Sequence, residues 1–275
     1  MDHDSKVFLL DGMTWSFSRL NSYDTCPRAF YLEYLECKEK SGNAFSEWGS
    51  LCHSLFERYY KGELECYQLL DAYVEEYDDA IKNKFPFPKM STSYYHNGVE
   101  FFEQFEGDYE GYDIVGVEMP VRTKIAGRNF IGYIDLLLKK DDEYYIVDFK
   151  SKSKFESEEE KKHYAIQLYL YAQFVKDKFG KYPVGMEFNM FRARTKVKIQ
   201  FTQEDMQFTM DWFTSTLKHI YDDEVFVEKP DEFFCKQLCS VSRFCKYGNA
   251  KDKDVKSNAD RRCSYRKGKK YAWSR

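Results

Sequence analysis

The residues best equipped for chemistry lie in one twelve-residue stretch, Glu143 to Lys154, reading EYYIVDFKSKSK. Its apolar part, Tyr144 to Phe149, predicts a short strand. The two-residue side-chain period puts Tyr144, Ile146, Asp148 and Lys150 on one face. A carboxylate and an ammonium then project from the same side of an otherwise apolar strand. Upstream, FIGYIDLLLKK carries Asp135 inside a run apolar on both faces, where a carboxylate is costly unless something pairs with it. Two such carboxylates with a lysine beside one of them point to a metal site. For Asp148 and Lys150 taken alone, a solvated strand end is the bland alternative.

The elements that must position these groups follow from local pattern. Residues 112–124 alternate as a strand, with Val115, Val117, Met119 and Val121 on one face and Gly116 and Glu118 on the other. Glu118 is a possible extra acid, with a solvated face as its ordinary reading. Ala126-Gly127 predicts a turn into a strand over 128–140, and Asp141-Asp142 a turn into the strand that ends in Asp148. A charged connection, 155–162, leads into a helix over 163–179 on which Gln167 and Tyr171, four apart, share a face. Strands over 184–192 and 196–201 and a helix over 205–221 complete the α/β expectation, a mixed central sheet of about five strands flanked by helices.

Before the sheet, residues 44–61 place Phe45, Trp48, Leu51, Leu55, Phe56 and Tyr59 on one broad helical stripe. His53 lies beside that stripe, and Gly49, one turn beneath it, is expected to leave room around the ring. A lone histidine in this setting is usually structural. Helices over 65–83 and 93–105, separated at Pro86 and Pro88, make up the rest of a helical lobe. At the start, residues 1–13 read as a frayed or edge segment. Ser18 is a candidate N-cap for a short helix, and Pro27 opens a second.

The formal charge of −4 hides an asymmetry: residues 251–275 hold ten Lys/Arg against three Asp/Glu, and the preceding 250 residues hold 32 against 43. The tail could tether a polyanion or be a disordered end with no role. The 23 Tyr and 24 Phe suit both packing and base stacking. No run approaches the ~18 apolar residues needed to span a bilayer, and MDHDSKVFLLDG lacks a signal-peptide pattern. The expectation is a soluble, cytoplasmic protein. No GxxxxGK[ST] occurs, which excludes a P-loop motor. Eight cysteines in such a chain read as thiols or metal ligands, not disulfides.

Carboxylate strand, turn, strand ending in Asp-x-Lys, then helix resembles the PD-(D/E)XK nuclease superfamily. Tyr23 to Leu35, YDTCPRAFYLEYL, is similar to the Cys-Pro-Arg entry of its RecB-like branch. Gly49-x-x-x-His53 resembles the branch's histidine motif, Gly132-x-x-Asp135 its first acidic motif, Asp148-Phe149-Lys150 its second acidic and lysine motif, and Gln167-x-x-x-Tyr171 the helix motif that follows. These span Tyr23 to Cys245. The arrangement looks like that of the compact iron–sulfur exonucleases, including CRISPR-adaptation and phage-encoded enzymes.

The resemblance implies a restriction-endonuclease-like core over 112–221 within a single nuclease domain, 1–250, with the helical lobe at 44–110 and a cysteine-tied C-terminal segment. It implies a Mg2+ or Mn2+ ion held by His53, Asp135, Asp148 and the Phe149 backbone carbonyl. Lys150 would orient or deprotonate water, Gln167 and Tyr171 would hold the scissile phosphate, and Arg28, Lys152, Lys154 and Tyr171 would contact DNA. Relatives use one early and three late cysteines for a 4Fe–4S cluster, which maps to Cys26, Cys235, Cys239 and Cys245; four thiolates also suit Zn2+. The family usually has two residues between the first late pair, and Cys235 and Cys239 have three. Cys37, Cys52, Cys66 and Cys263 fall outside the pattern, with Cys263 the substitute ligand if Cys235 is not one. The implied activity is DNA exonuclease on single strands or ends in recombination, repair or CRISPR-type processing, with a recombination or CRISPR-adaptation protein as a possible partner. A catalytically inactive DNA-end-binding subunit of the same fold is the alternative.

Overall fold

Two tight turns establish the sheet. Ala126 and Gly127 have φ of 47° and 76°, and Asp141 and Asp142 have 51° and 64°. Paired left-handed residues form the two-residue hairpin turns whose twist matches the strands they join. They connect β1 (Asp113–Ile125), β2 (Arg128–Lys140) and β3 (Glu143–Phe149) in an antiparallel meander. A helical crossover brings the chain back as β4 (Gly185–Met190), parallel to β3, and β5 (Thr195–Ile199) closes the sheet antiparallel. The order is β1-β2-β3-β4-β5, the mixed five-stranded sheet expected. The computed structural model describes residues 2–249. The basic tail, 251–275, and Cys263 lie outside the described residues.

The chain packs into two compact units. One gathers the described residues up to Met13, Ser18–Asn43 and the described residues from Thr216 onward; the other holds Thr14–Phe17 and Ala44–Ser215. In the first unit the opening segment is a helix, α1 (His3–Asp11), where a frayed or edge segment was expected. Its N-cap, Asp2, accepts the Ser5 N–H at 2.8 Å, and Lys6 donates to the Tyr221 and Asp223 carbonyls at 2.6 and 2.9 Å. The apolar residues of α1 are contiguous, so no helical spacing betrays it. In α2 (Phe17–Thr25) Ser18 lies inside the helix and does not cap it. Pro27 does open α3 (Pro27–Phe30), with Cys26 extended just before it.

The second unit carries the sheet and α4 (Ala44–Tyr60), α5 (Leu69–Ala80), α6 (Pro88–Glu103) and α7 (Glu158–Phe179); α8 (Gln203–Asp222) runs from this unit into the other. Pro88 starts α6 at a first-turn position and does not interrupt a helix. α7 begins five residues before the expected start, because Ser157 accepts the Glu160 N–H at 3.1 Å and Glu158, Glu159 and Glu160 favour the positive helix end. A largely aromatic core joins α4, α5 and α6 to β2 and β3 through Trp48, Phe56, Tyr73, Phe102, Leu136 and Phe149. Phe56 stacks on Phe149 at 4.4 Å between ring centroids and 11° between planes, fixing α4 over the end of β3. Among the described residues no helix is long and apolar enough to cross a membrane.

Gly98 of α6 lets the fully buried Tyr73 ring approach: a Cβ there would lie 2.1 Å from Tyr73 Cζ, and the Tyr73 hydroxyl accepts the Trp48 indole N–H at 2.9 Å. Gly98→Ala is expected to destabilise the protein by about 1–3 kcal/mol through overpacking, read as a lower urea midpoint with an unchanged slope.

Candidate active site

Strand register brings the carboxylates together. Val117 pairs with Leu136 and Met119 with Ile134, so Glu118 falls opposite Asp135. Leu136 pairs with Val147, and the next step sets Asp135 level with Asp148. Three neighbouring strands thus each place one acid on a single rung, where opposed side chains stand about 4.5–5.5 Å apart at Cβ. Glu118 has a φ of 47°, a conformation costly for a residue with a Cβ, and this break in β1 lies on the rung. Asp135 Oδ2 accepts the Phe149 N–H at 2.7 Å. From α4, His53 brings its Nδ1 to 3.7 Å from the same oxygen. One ligand atom each from His53, Glu118 and Asp135 lie within 4.8 Å of one another, the one such trio among the described residues. Glu118 therefore belongs with the site, and the solvated-face reading of it is corrected.

Lys150 anchors a second line of contacts. Its Nζ lies 2.7 Å from Asp148 Oδ2 and donates to Gln167 Oε1 at 3.0 Å. Gln167 Nε2 donates to the Tyr171 hydroxyl at 3.0 Å, and the Tyr133 N–H reaches the same oxygen at 3.4 Å. Glycine at 132 is a steric requirement of this line, since a Cβ there would lie 2.5 Å from Tyr171 Cε1. Gly49 is different. A Cβ there would meet only Ser151 Oγ at 3.5 Å, an ordinary contact, so room around His53 does not depend on it.

The charges follow from burial and neighbours. Burial, then the Asp148 charge, pushes the Asp135 carboxyl well above the usual range. Burial, Glu57 and Asp148 push Glu118 up as well. Burial holds the His53 imidazole below its ordinary value despite the pull of Asp148, which favours the neutral, ligand-competent ring. Burial alone would pull Lys150 down, but Asp148 and Asp135 outweigh it and hold its ammonium above the ordinary value. Burial also raises the Tyr171 phenol. An array of one imidazole and three carboxylates, with the Lys150 ammonium directly against one of them, suits a hard divalent cation.

The other expected DNA contacts have partners of their own. Lys152 pairs with Glu160 at 2.8 Å and Lys154 with Glu156 at 3.0 Å, while Arg28, in the first unit, stacks over Tyr31 at 5.0 Å. In that unit Cys26, Cys235, Cys239 and Cys245 line one small cavity with Ala29, Leu32, Phe234 and Val241. Cys235 sits in a π turn, Phe234–Leu238, closed by the Cys239 N–H on the Phe234 carbonyl at 2.8 Å. Burial, with further contributions from the other three thiols, pushes Cys239 up to about 11.

Two outcomes follow. Gly132→Ala should displace Tyr171 and lower activity at least about tenfold while Gly49→Ala stays near wild type, because only the first intrudes on a buried ring. Asp135→Asn should raise the melting temperature of chelator-treated protein by about 2–5 °C and abolish the stabilisation that Mn2+ gives the wild type. The sign is fixed by the raised carboxyl: its favourable state is present in acid and is lost as pH rises through the folded-state value. The variant's advantage should therefore vanish below the ordinary carboxylate range, as thermal melts across pH would reveal.

A family model of the PD-(D/E)XK nuclease superfamily matches residues 14–246. No curated protein matches the chain at a significant level. The match spans both the acidic rung and Lys150 and, beyond them, the four cysteines of the cavity. By this match over most of its length, the chain belongs to the PD-(D/E)XK nuclease superfamily.

Proposed function

We propose that the protein is a metal-dependent DNA exonuclease of the RecB-like iron–sulfur type, acting on single strands or DNA ends in recombination, repair or CRISPR-type processing in a prokaryotic or phage-infected cytoplasm. The observation that carries this reading is the rung of Glu118, Asp135 and Asp148 with Lys150 against it and His53 above it. His53, Glu118, Asp135 and Asp148, with the Phe149 carbonyl, would hold Mg2+ or Mn2+. The imidazole favours Mn2+. A bound ion supplies Lewis-acid polarisation of the phosphate and a hydroxide near neutral pH. Lys150, held as a cation by its two carboxylates, is suited to offset charge on the phosphorane-like transition state and to orient water, more than to remove a proton. Gln167 and Tyr171 keep that ammonium aimed. Labelled DNA incubated with Mg2+ or Mn2+ tests the scheme. Asp148→Ala and Lys150→Ala should each lose at least about 100-fold in rate, and His53→Ala should lose its advantage in Mn2+. Undiminished cleavage by the first two variants would sink the mechanism. Tight binding without turnover in any divalent metal would favour the inactive end-binding subunit.

The cysteine cavity supports a 4Fe–4S cluster over zinc. The π turn widens the helix by one residue, which absorbs the extra residue between Cys235 and Cys239 and keeps both on the cavity. Among the described residues no three thiols come within 4.8 Å of one another, whereas a Zn–S tetrahedron has edges of about 3.8 Å. Protein purified without oxygen should be brown, absorb at about 400 nm and contain iron and sulfide. Cys235→Ser should lose the colour. One zinc and no iron would overturn the assignment.

A further inference from the structure

β1 and β2 run on past β3, whose pairing with β2 stops at Leu136. In this distal arm of the hairpin burial alternates cleanly. Val121, Ile125, Phe130 and Ile134 are buried, while Pro120, Arg122, Lys124, Asn129 and Tyr133 are exposed. Pro120 pairs with Tyr133, Arg122 with Ile131 and Lys124 with Asn129, so the exposed groups share one face. The first of these rungs is two residues from Asp135. The next two follow at about 6.8 Å intervals along the strand.

Three features separate this face from ordinary surface. Tyr133 is 48% exposed, on the part of β2 that pairs with β1 beyond the end of β3, and its N–H is tied to the Tyr171 hydroxyl. The lysines that end and follow β3 are already paired: Lys150 with Asp148, Lys152 with Glu160, Lys154 with Glu156. The side chains of Arg122 and Lys124, by contrast, make no ion pair or hydrogen bond with any described residue. Protection of an exposed edge against pairing accounts for a proline and cations on β1, but not for a large exposed ring on β2. The first 250 residues carry 43 acids against 32 bases, so unpaired cations leading away from the acidic rung are where a polyanion would be tolerated.

We infer that the exposed face of the β1–β2 arm is a track for single-stranded DNA, with Tyr133 stacking on the base beside the cleaved linkage and Arg122 and Lys124 holding successive phosphates. A stacked base must be unpaired, so the track selects single strands and frayed ends over closed duplex. This deepens the nuclease reading and rests on it for the position of the cleaved bond.

Binding of a fluorescent oligothymidylate, followed by anisotropy in chelator across a salt series, tests the track without any need for turnover. Arg122→Gln/Lys124→Gln should weaken binding and flatten the plot of log affinity against log salt by about 1.4, two phosphate contacts at ≈0.7 each. Tyr133→Leu should weaken binding about 5- to 100-fold with the salt slope unchanged. Lys198→Gln, one exposed cation removed from β5, should leave both quantities at wild type. No binding by the wild type, a double variant with wild-type affinity and slope, or an equal loss in Lys198→Gln would each overturn the track. Failure of the nuclease reading shows differently, as wild type that binds through the track yet cleaves nothing in Mg2+ or Mn2+.

Discussion

The structure is organised around a repulsion. Glu118, Asp135 and Asp148 occupy one rung of three adjacent strands, and Asp148 is only 2% exposed. At about 5 Å and an effective dielectric of about 20, two ionised acids on adjacent strands oppose each other by about 3 kcal/mol. One ammonium, Lys150, lies directly against Asp148. The fold therefore holds a region of excess negative charge that a protein built only for stability would have replaced with apolar side chains. Divalent-cation binding is the function that requires such an arrangement.

Rigid placement keeps the arrangement from relaxing. The Phe56–Phe149 stack locks α4 over β3 so that His53 meets Asp135. On the other line, Lys150, Gln167, Tyr171 and the Tyr133 backbone form a continuous hydrogen-bonded series across β3, α7 and β2. Gln167 and Tyr171 come from α7 and the other two members from the end of β3 and from β2, so none can turn away from the acids without breaking a contact on its neighbour. Packing and polar contacts thus act together, with an aromatic core on one line and hydrogen bonds on the other.

Much of this was legible in the sequence. The strands, the central sheet and the alignment of Asp148 with Lys150 follow from two-residue periodicity. The rung itself was available too. Asp135 lies six residues before Asp141 and Asp148 six after Asp142, while Glu118 lies eight before Ala126 and Asp135 eight after Gly127; two-residue turns make such positions partners. Glu118 was nevertheless read as solvated, because alternation along β1 describes faces and carries no information about what stands opposite. The left-handed backbone at Glu118 was not legible at all, since glutamate has no preference for it. Nor was the ion pair of Lys152, which depends on the early start of α7 and on Glu160, the acid it brings close. Gly132 was visible as a motif residue, but its reason, the Tyr171 ring, lies 39 residues further on, in α7.

The acidic rung and the strained Glu118 backbone both lower stability, the second by about 1–3 kcal/mol. The same unit answers with a lobe rich in buried rings: Trp48, Phe56 and Tyr73 are 0–1% exposed, and full burial of such a side chain contributes about 1.5–3 kcal/mol. That explains why α5 and α6, helices with no chemistry of their own, stand with α4 before the sheet. Their aromatic faces pack on Leu136, Val147 and Phe149, the residues that alternate with or adjoin the acids on β2 and β3. The apolar half of each strand stabilises the fold, the polar half costs stability and performs the chemistry, and the two-residue period lets one strand do both.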